Sequence, residues 1–294
     1  REPWLMIDYN KILPEKIVSI PKSGIRKYFD MITPDMKDVI SLTVGQPDFV
    51  TPWHIREAGI QSLETGKTFY TANAGLMELR CEIDKYMTRR FSLSYDPSSE
   101  IIVTVGGSEA IDIAMRAILD IGDEVIIPTP SFVCYEPLTR MAGAVPVILE
   151  TYMEDEFRID PAKLKALITP KTKMIVLPFP NNPTGAIMTR AELMEIADII
   201  KDTNIIVLSD EIYAEMTYGD RHVSIASIEG MKERTIVVNG FSKAFAMTGW
   251  RLGWVCAPAP ITAQMLKIHQ YEIMSSPTTS QFAAISALKN GDPD

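Results

Sequence analysis

The chain has 294 residues, of which 46% are hydrophobic and 23% charged, and its formal net charge at pH 7 is −9. This length and composition suit one large domain or two ordinary ones with a sizeable core. The negative charge argues against nucleic acid or an acidic membrane face as a main partner, because either would require a basic surface.

The cysteines and histidines of the chain show no metal-binding or catalytic spacing. The three cysteines are scattered, which indicates free thiols in a reducing compartment: Cys81, Cys134 and Cys256. The three histidines form neither an H-x-x-x-H pair nor a Ser-His-Asp signature, so zinc and triad chemistry are not indicated. With no apolar run of eighteen residues and no cleavage pattern at the start, we expect a cytoplasmic protein.

Short apolar runs alternate with helical patterns along the chain. Seven runs predict strands, at 101–105, 124–128, 145–149, 174–177, 204–208, 235–238 and 254–257, and helical patterns cover 108–120, 189–202 and 259–274. The runs are almost continuous in Val, Ile and Leu, as in strands that are covered on both faces. The order predicts an α/β fold with a mostly parallel seven-stranded sheet flanked by helices, and the alternative is a two-layer α+β domain.

The first strand is followed by Gly106-Gly107-Ser108, here called the glycine turn. Two glycines allow a tight turn, and Ser108 could cap a helix that starts there. Exposed N–H groups at the positive end of that helix would form an anion site. A plain strand–turn–helix junction explains the same residues, so both interpretations stay open here.

The fourth strand is followed by Pro178-Phe-Pro-Asn-Asn-Pro-Thr-Gly185. The proline after Asn182 keeps that residue out of helical geometry, so its amide would project at the end of the strand. The alternative is a rigid surface turn.

The fifth strand is followed by Ser209-Asp-Glu-Ile-Tyr213. Burial of the Asp210 carboxylate at the rim of the sheet would cost several kcal/mol without a partner, and a protonated ring nitrogen would be one. The alternative is that Asp210 caps a helix.

The sixth strand is followed by Lys243, which stands among apolar and aromatic residues, and by Arg251. Loss of water and a nearby cation both lower the pKa of a lysine and make its amine nucleophilic. Arg251 could supply that cation or bind a phosphate. The alternative is an ordinary solvent-facing lysine.

The carboxyl ends of parallel strands meet at one edge of a sheet, where ligands bind. That edge would hold a glycine turn, an amide, a carboxylate, a phenol, an amine and a guanidinium. This set suits a phosphorylated aromatic cofactor that carries a carbonyl group.

The chain resembles the class I/II aminotransferases of pyridoxal-phosphate fold type I. The resemblance runs from about residue 17 to the end and rests on five motifs in the family's order: Val44-Gly-Gln-Pro-Asp48, Tyr70-Thr-Ala-Asn-Ala-Gly75, Asn182-Pro-Thr-Gly185, Ser209-Asp-Glu-Ile-Tyr213 and Gly240-Phe-Ser-Lys-Ala-Phe-Ala-Met-Thr-Gly-Trp-Arg-Leu-Gly253. It implies transfer of an amino group between an L-amino acid and a 2-oxo acid, with pyridoxal 5′-phosphate held by Lys243 as a Schiff base.

The resemblance also implies a role for each matching residue. Lys243 would carry the proton between substrate and cofactor, Asp210 would pair with the ring nitrogen, and Asn182 and Tyr213 would bind the phenolic oxygen. Phe132, in Pro130-Ser-Phe-Val-Cys-Tyr135, would stack on the ring.

Further contacts follow from the same resemblance. The residues expected to hold the phosphate are Gly107, Ser108, Ser242 and Arg251, and Glu109 is expected among the cofactor contacts. Tyr70 would reach the phosphate of the neighbouring subunit in a homodimer. Gly45 and Asn182 would lie near the substrate.

The chain departs from the family pattern at its end. We expect 1–44 to form an arm and part of a small domain, and 45–294 to form the large cofactor-binding domain. The family's arginine for the substrate carboxylate has no counterpart before Asp294. The sequence therefore reads as a fragment, for which we expect cofactor binding and impaired turnover.

Three other functions share features with this sequence. A carbon–sulfur β-lyase would share the lysine and the aspartate. A non-catalytic aminotransferase-like module is disfavoured because no basic segment with a helix-turn-helix pattern precedes residue 44. A NAD-dependent enzyme is disfavoured because the glycine turn lacks G-x-G-x-x-G and no ribose-binding acid follows as expected. The sequence leaves the amino donor open among aspartate, aromatic amino acids and acyl-diaminopimelate.

Overall fold

The computed structural model describes residues 7–24, 31, 36, 40 and 45–291. It contains one seven-stranded sheet, with β1 Ile101–Thr104, β2 Glu124–Thr129, β3 Val145–Glu150, β4 Thr172–Leu177, β5 Ile206–Asp210, β6 Thr235–Gly240 and β7 Gly253–Cys256. All seven predicted strands are present. β5 and β6 extend beyond the predicted apolar runs, because polar residues at the end of a strand can continue its backbone hydrogen bonds. Asp210 is therefore the last residue of β5.

The strands lie in the order β1-β7-β6-β5-β4-β2-β3. Only β7 runs antiparallel to its neighbours, with Gly253 opposite both Thr104 and Gly240. The expected α/β fold with a mostly parallel sheet is thus confirmed. Because β7 is reversed, its first residue lies at the edge where β1, β4, β5 and β6 end.

Helices cover both faces of the sheet. They are α1 Tyr9–Ile12, α2 Glu15–Val18, α3 Trp53–Glu64, α4 Met77–Phe91, α5 Gly106–Ile118, α6 Tyr135–Met141, α7 Pro161–Leu167, α8 Arg190–Ile200, α9 Ala259–Glu272 and α10 Thr278–Asn290. Single 3₁₀ turns lie at Met153–Asp155, Ile225–Ser227, Lys232–Arg234 and Thr248–Trp250. The helices predicted at 108–120, 189–202 and 259–274 correspond to α5, α8 and α9.

The sheet is buried on both sides, as its continuous apolar runs predict. Alternate residues of a strand point to opposite faces. In β6, Val237 packs on the side of α4 and α10, whereas Ile236 and Val238 pack on the side of α5 and α9. Burying each such side chain contributes roughly 1.5–3 kcal/mol. The well-packed sheet therefore holds the residues at the ends of its strands in fixed positions.

The described N-terminal residues contribute little to this core. The short helices α1 and α2 contain no buried residue. Within the described residues, no helix is long and apolar enough to cross a membrane.

Candidate active site

The glycine turn connects β1 to α5. Gly106 has a φ of +77°, a left-handed conformation that favours glycine. A Cβ atom on Gly106 would lie 2.7 Å from Nη2 of Arg251, and one on Gly253 would lie 2.8 Å from the backbone nitrogen of Gly107. The absence of side chains therefore lets the start of β7 and the Arg251 guanidinium approach the turn closely.

The helix that follows begins earlier than the sequence predicts. It starts at Gly106, with Val105 at the N-cap and no side-chain cap on that residue. Ser108 is an exposed residue inside the first turn, so the expectation that it caps the helix is wrong. The reason is that the helix already begins at Gly106, which places Ser108 within its first turn. At the helix start, Glu109 instead reaches back and accepts the N–H of Val105.

Arg251 lies directly after the turn Thr248–Trp250, also in a left-handed conformation with φ of 51°. Its Nη1 donates to the carbonyl oxygen of Thr248 at 3.2 Å. The rest of the guanidinium lies against Gly106 in the glycine turn. The positive charge of Arg251 and the free N–H groups at the start of α5 are therefore close together.

Lys243 lies just beyond the end of β6 and is half-buried. Its Nζ donates to the carbonyl oxygen of Gly45 at 2.5 Å and lies 5.5 Å from the centre of the Tyr213 ring. Burial, and to a lesser extent the charge of Arg251, hold the pKa of Lys243 below its usual value. Lys243 is thus partly enclosed and hydrogen-bonded, unlike an ordinary solvent-facing lysine.

Asp210 ends β5 and is almost completely buried. Its Oδ2 accepts the hydroxyl of Tyr135 at 2.7 Å, and its Oδ1 accepts the N–H of Ile212 at 3.2 Å. Burial raises the pKa of Asp210, and these two hydrogen bonds oppose the rise. No helix follows Asp210 directly, so the alternative that it caps a helix is wrong.

Asn182 and Tyr213 follow neighbouring strands and meet. The amide nitrogen of Asn182 donates to the hydroxyl oxygen of Tyr213 at 3.2 Å, and the peptide bond between Asn182 and Pro183 is cis. Burial and the nearby charge of Asp210 raise the pKa of Tyr213, and the Asn182 hydrogen bond lowers it. Asp210, Asn182 and Tyr213 thus form one polar group at the sheet edge.

The remaining predicted residues surround this group or lie outside it. Phe132 is half-buried, with its ring edge-on to Tyr135 at 6.4 Å between centres. Ser242 is buried beside Lys243. The side chain of Glu109 is bound to Val105 and to His269. Tyr70 is 79% exposed on the loop between α3 and α4.

Tyr135 was not predicted as a site residue. It lies at the start of α6, three residues after Phe132 in the motif singled out for ring stacking. Residues three apart in a helix-like turn share a face, and that spacing was the available signal.

The assembled groups fit pyridoxal 5′-phosphate by their chemistry. An amine with lowered pKa suits an aldehyde, and a buried carboxylate suits a protonated ring nitrogen. The Arg251 guanidinium lies so close to Gly106, at the start of α5, that a Cβ there would be 2.7 Å from Nη2. A guanidinium beside the N-terminus of a helix suits a phosphate.

The chain is similar over most of its length to known proteins. A family model described as aminotransferase class I and II matches residues 37–293. Putative aminotransferase YugH of Bacillus subtilis is 54% identical over 96% of this chain and 73% of that protein. A probable N-acetyl-LL-diaminopimelate aminotransferase of the same organism is 45% identical over 96% of this chain and 71% of its own length. The crystal structure of Pyrococcus protein-A1 superposes with a TM-score of 0.91 at 47% identity, covering 94% of this chain and 71% of that one.

Proposed function

The chain belongs to the class I and II aminotransferases, enzymes that use pyridoxal 5′-phosphate to move an amino group between an amino acid and a 2-oxo acid, and we propose that Lys243, Asp210 and Tyr213 carry out this transfer. The observation that carries the proposal is the buried Asp210 carboxylate. Among the described residues its hydrogen-bond donors are a phenol and a backbone N–H, and it forms no ion pair. A cationic ring nitrogen is the partner that such a carboxylate lacks.

Pyridoxal 5′-phosphate, when bound, supplies an aldehyde for amines and a protonated ring that draws in the electrons left when the substrate loses its Cα proton. The chain's own residues divide the remaining work. Asp210 holds the ring nitrogen, and Asn182 and Tyr213 hold the phenolic oxygen. The backbone of Gly107 and Ser108, with Ser242 and Arg251, holds the phosphate, and Phe132 packs against the ring.

Lys243 is proposed as both the cofactor-binding amine and the proton carrier. Its lowered pKa leaves more free amine near neutral pH, which is the form that attacks a carbonyl and accepts a proton. Support for a role of Gly45 comes from its carbonyl oxygen, which accepts a hydrogen bond from Nζ at 2.5 Å. We therefore propose Gly45 and Asn182 as the residues nearest the substrate.

Replacement of Lys243 tests the proposal. In the Lys243→Ala protein we expect loss of both the visible absorbance of covalently bound cofactor and the conversion of 2-oxoglutarate to glutamate. Lys171→Ala, which changes an exposed lysine, should retain both. Transamination at the wild-type rate without Lys243 would refute the assignment.

The names of the relatives favour amino-group transfer over the β-lyase and the non-catalytic module. One name makes an acylated diaminopimelate a donor to test beside aspartate and aromatic amino acids. A panel of these donors with 2-oxoglutarate as acceptor would identify the substrate, and release of pyruvate and ammonia from cystathionine without an acceptor would favour the lyase.

We further propose a homodimer in which Tyr70 binds the phosphate of the neighbouring site. The support is the high exposure of Tyr70 and of the adjacent Phe69, at 79% and 61%, on a loop whose backbone is fixed by Thr278.

The division into an arm at 1–44 and a large domain at 45–294 stays a prediction. So does a cytoplasmic location, which the free cysteines support.

A further inference from the structure

The carboxylate of Glu109 connects the glycine turn to a second helix. One oxygen, Oε2, accepts the N–H of Val105, the residue that precedes the turn. The other, Oε1, lies 2.7 Å from Nδ1 of His269 in α9. Because a carboxylate only accepts, Nδ1 of His269 carries the donated hydrogen. The entry to the turn is thus tied to α9 through one side chain.

His269 is enclosed to an unusual degree for a histidine. Its side chain is 0% exposed, and within the described part of the chain its Nε2 atom has no hydrogen-bond partner. An apolar residue would fill this position without burying an unpaired nitrogen, which is costly. The imidazole provides an N–H donor to Glu109, which an apolar side chain cannot provide.

Besides Glu109, Oγ1 of Thr104 supports the glycine turn by donating to the carbonyl oxygen of Gly106 at 3.0 Å. Gly106 and Gly107 have no side chains, and the conformational freedom of glycine works against a single geometry. The first N–H groups of a helix also lack partners within the helix. Glu109 takes the N–H of Val105, so the N–H groups that follow are left for an anion, and the Arg251 guanidinium lies close to Gly106 on the same turn.

We infer that Glu109 and His269 form a positioning pair for the phosphate site: they hold the backbone of the glycine turn in its binding geometry without contacting the cofactor. This inference rests on the proposed function, because it assumes that the turn binds the phosphate. It gives Glu109 a different role from the direct cofactor contact expected from the sequence.

A comparison of two ligands tests the inference. Cofactor-free protein would be titrated with pyridoxal 5′-phosphate and with pyridoxal, which lacks the phosphate. Glu109→Met, which has no acceptor, should weaken pyridoxal 5′-phosphate binding about tenfold or more and alter pyridoxal binding by less than about twofold. Glu109→Gln, which keeps an acceptor for Val105, should retain most of the affinity.

The matching change in α9 uses His269→Leu and His269→Asn. The leucine variant should lose phosphate-dependent affinity, and the asparagine variant, whose amide can donate from near the Nδ1 position, should restore it in part. Asp112→Asn is the control, because Asp112 lies in the same helix and pairs with Arg116 instead of the turn. It should bind both ligands as the unaltered protein does.

Equal weakening of both ligands, or unchanged affinity for pyridoxal 5′-phosphate, would overturn the inference. If Glu109→Met does not fold, the difference between His269→Leu and His269→Asn decides the question. Failure of the proposed function would look different, because Lys243→Ala would then keep the absorbance of bound cofactor whatever the Glu109 variants do.

Discussion

The hydroxyl of Tyr135 donates a 2.7 Å hydrogen bond to Oδ2 of Asp210, and both side chains are buried. Burial and the charge of Asp210 hold the pKa of Tyr135 well above its usual value, so the phenol keeps its proton and remains a donor. The bond favours the charged form of Asp210 and so opposes the rise in pKa that burial causes. Tyr135 therefore helps to keep negative charge where the cofactor's ring nitrogen would bind.

Tyr135→Phe should slow catalysis while leaving the fold intact. The change removes only the hydroxyl, and a hydrogen bond to a charged group is worth enough to lower kcat roughly tenfold to a hundredfold. Without the donor, the pKa of Asp210 rises further, so the acid limb of the kcat–pH profile should move to higher pH. Steady-state kinetics over a pH series measure both effects.

Tyr152→Phe provides the control for this change. Tyr152 also donates to a carboxylate, that of Glu150, but the pair is exposed and distant in sequence from the site. Its kcat and pH profile should match those of the unaltered enzyme. An acid limb that stays in place in Tyr135→Phe would mean that the hydrogen bond does not control the charge of Asp210.

The sheet and most of the candidate site could be predicted because both depend on local sequence. A buried strand of Val and Ile followed at once by a polar residue, as in 204–210, specifies both the strand and the position of Asp210 at its end. The same reasoning applied to Asn182 and Lys243, and the structure brings all three to one edge of the sheet.

The remaining contacts could not be predicted because they join segments far apart in the chain. Glu109 and His269 are 160 residues apart, and Tyr135 and Asp210 are 75 apart. The start of α5 differs from the predicted one for a local reason: serine is a strong N-cap residue, but the helix begins two residues earlier, at Gly106, so Ser108 lies inside its first turn.

Asp210→Asn should slow the chemical step more than it weakens cofactor binding. Asparagine has a similar shape but no charge to hold a protonated ring nitrogen, and loss of such electrostatic stabilisation costs about a hundredfold or more in kcat. Cofactor affinity should fall less, because the phosphate and lysine contacts remain. Asp202→Asn, at an exposed aspartate, should change neither quantity. Equal losses in kcat and affinity would contradict this division of roles.

The same substitution should raise the melting temperature of the cofactor-free protein at neutral pH. The folded state raises the pKa of Asp210 above its value in the unfolded chain, so the stability that the protonated form provides is lost as pH rises through the folded pKa. Asparagine cannot ionise and avoids this loss. Melting curves over a pH series should show that the gain grows as the pH rises through the folded pKa of Asp210. A variant less stable than the original across the series would count against a costly buried charge.

Arg251→Met should shift the reactivity of Lys243 to higher pH. The charge of Arg251 contributes to the lowered pKa of Lys243, so its removal raises that pKa and leaves less free amine at any pH below it. The pH midpoint for reaction of cofactor-free protein with pyridoxal would report the change without involving the phosphate. Arg221→Met, at an exposed arginine, is the control. A midpoint that falls or does not move would exclude this charge effect.

Exchange of subunits tests whether Tyr70 acts across a dimer. Tyr70→Ala should weaken cofactor retention in a homodimer, and Lys243→Ala should abolish activity. Suppose that each Tyr70 serves the neighbouring site. In a mixed dimer, the site of the Tyr70→Ala subunit then has its own Lys243 and receives Tyr70 from the other subunit, so it is intact. The site of the Lys243→Ala subunit carries both defects. Co-refolding the two proteins should therefore recover up to about a quarter of the original activity, because half of the dimers are mixed and each has one intact site.

The alternative arrangement gives a distinct result. If Tyr70 serves its own subunit, every site in the mixture carries at least one defect, and the activity should not exceed the average of the two parents. Mass measurement in solution would establish whether the variants form dimers before mixing.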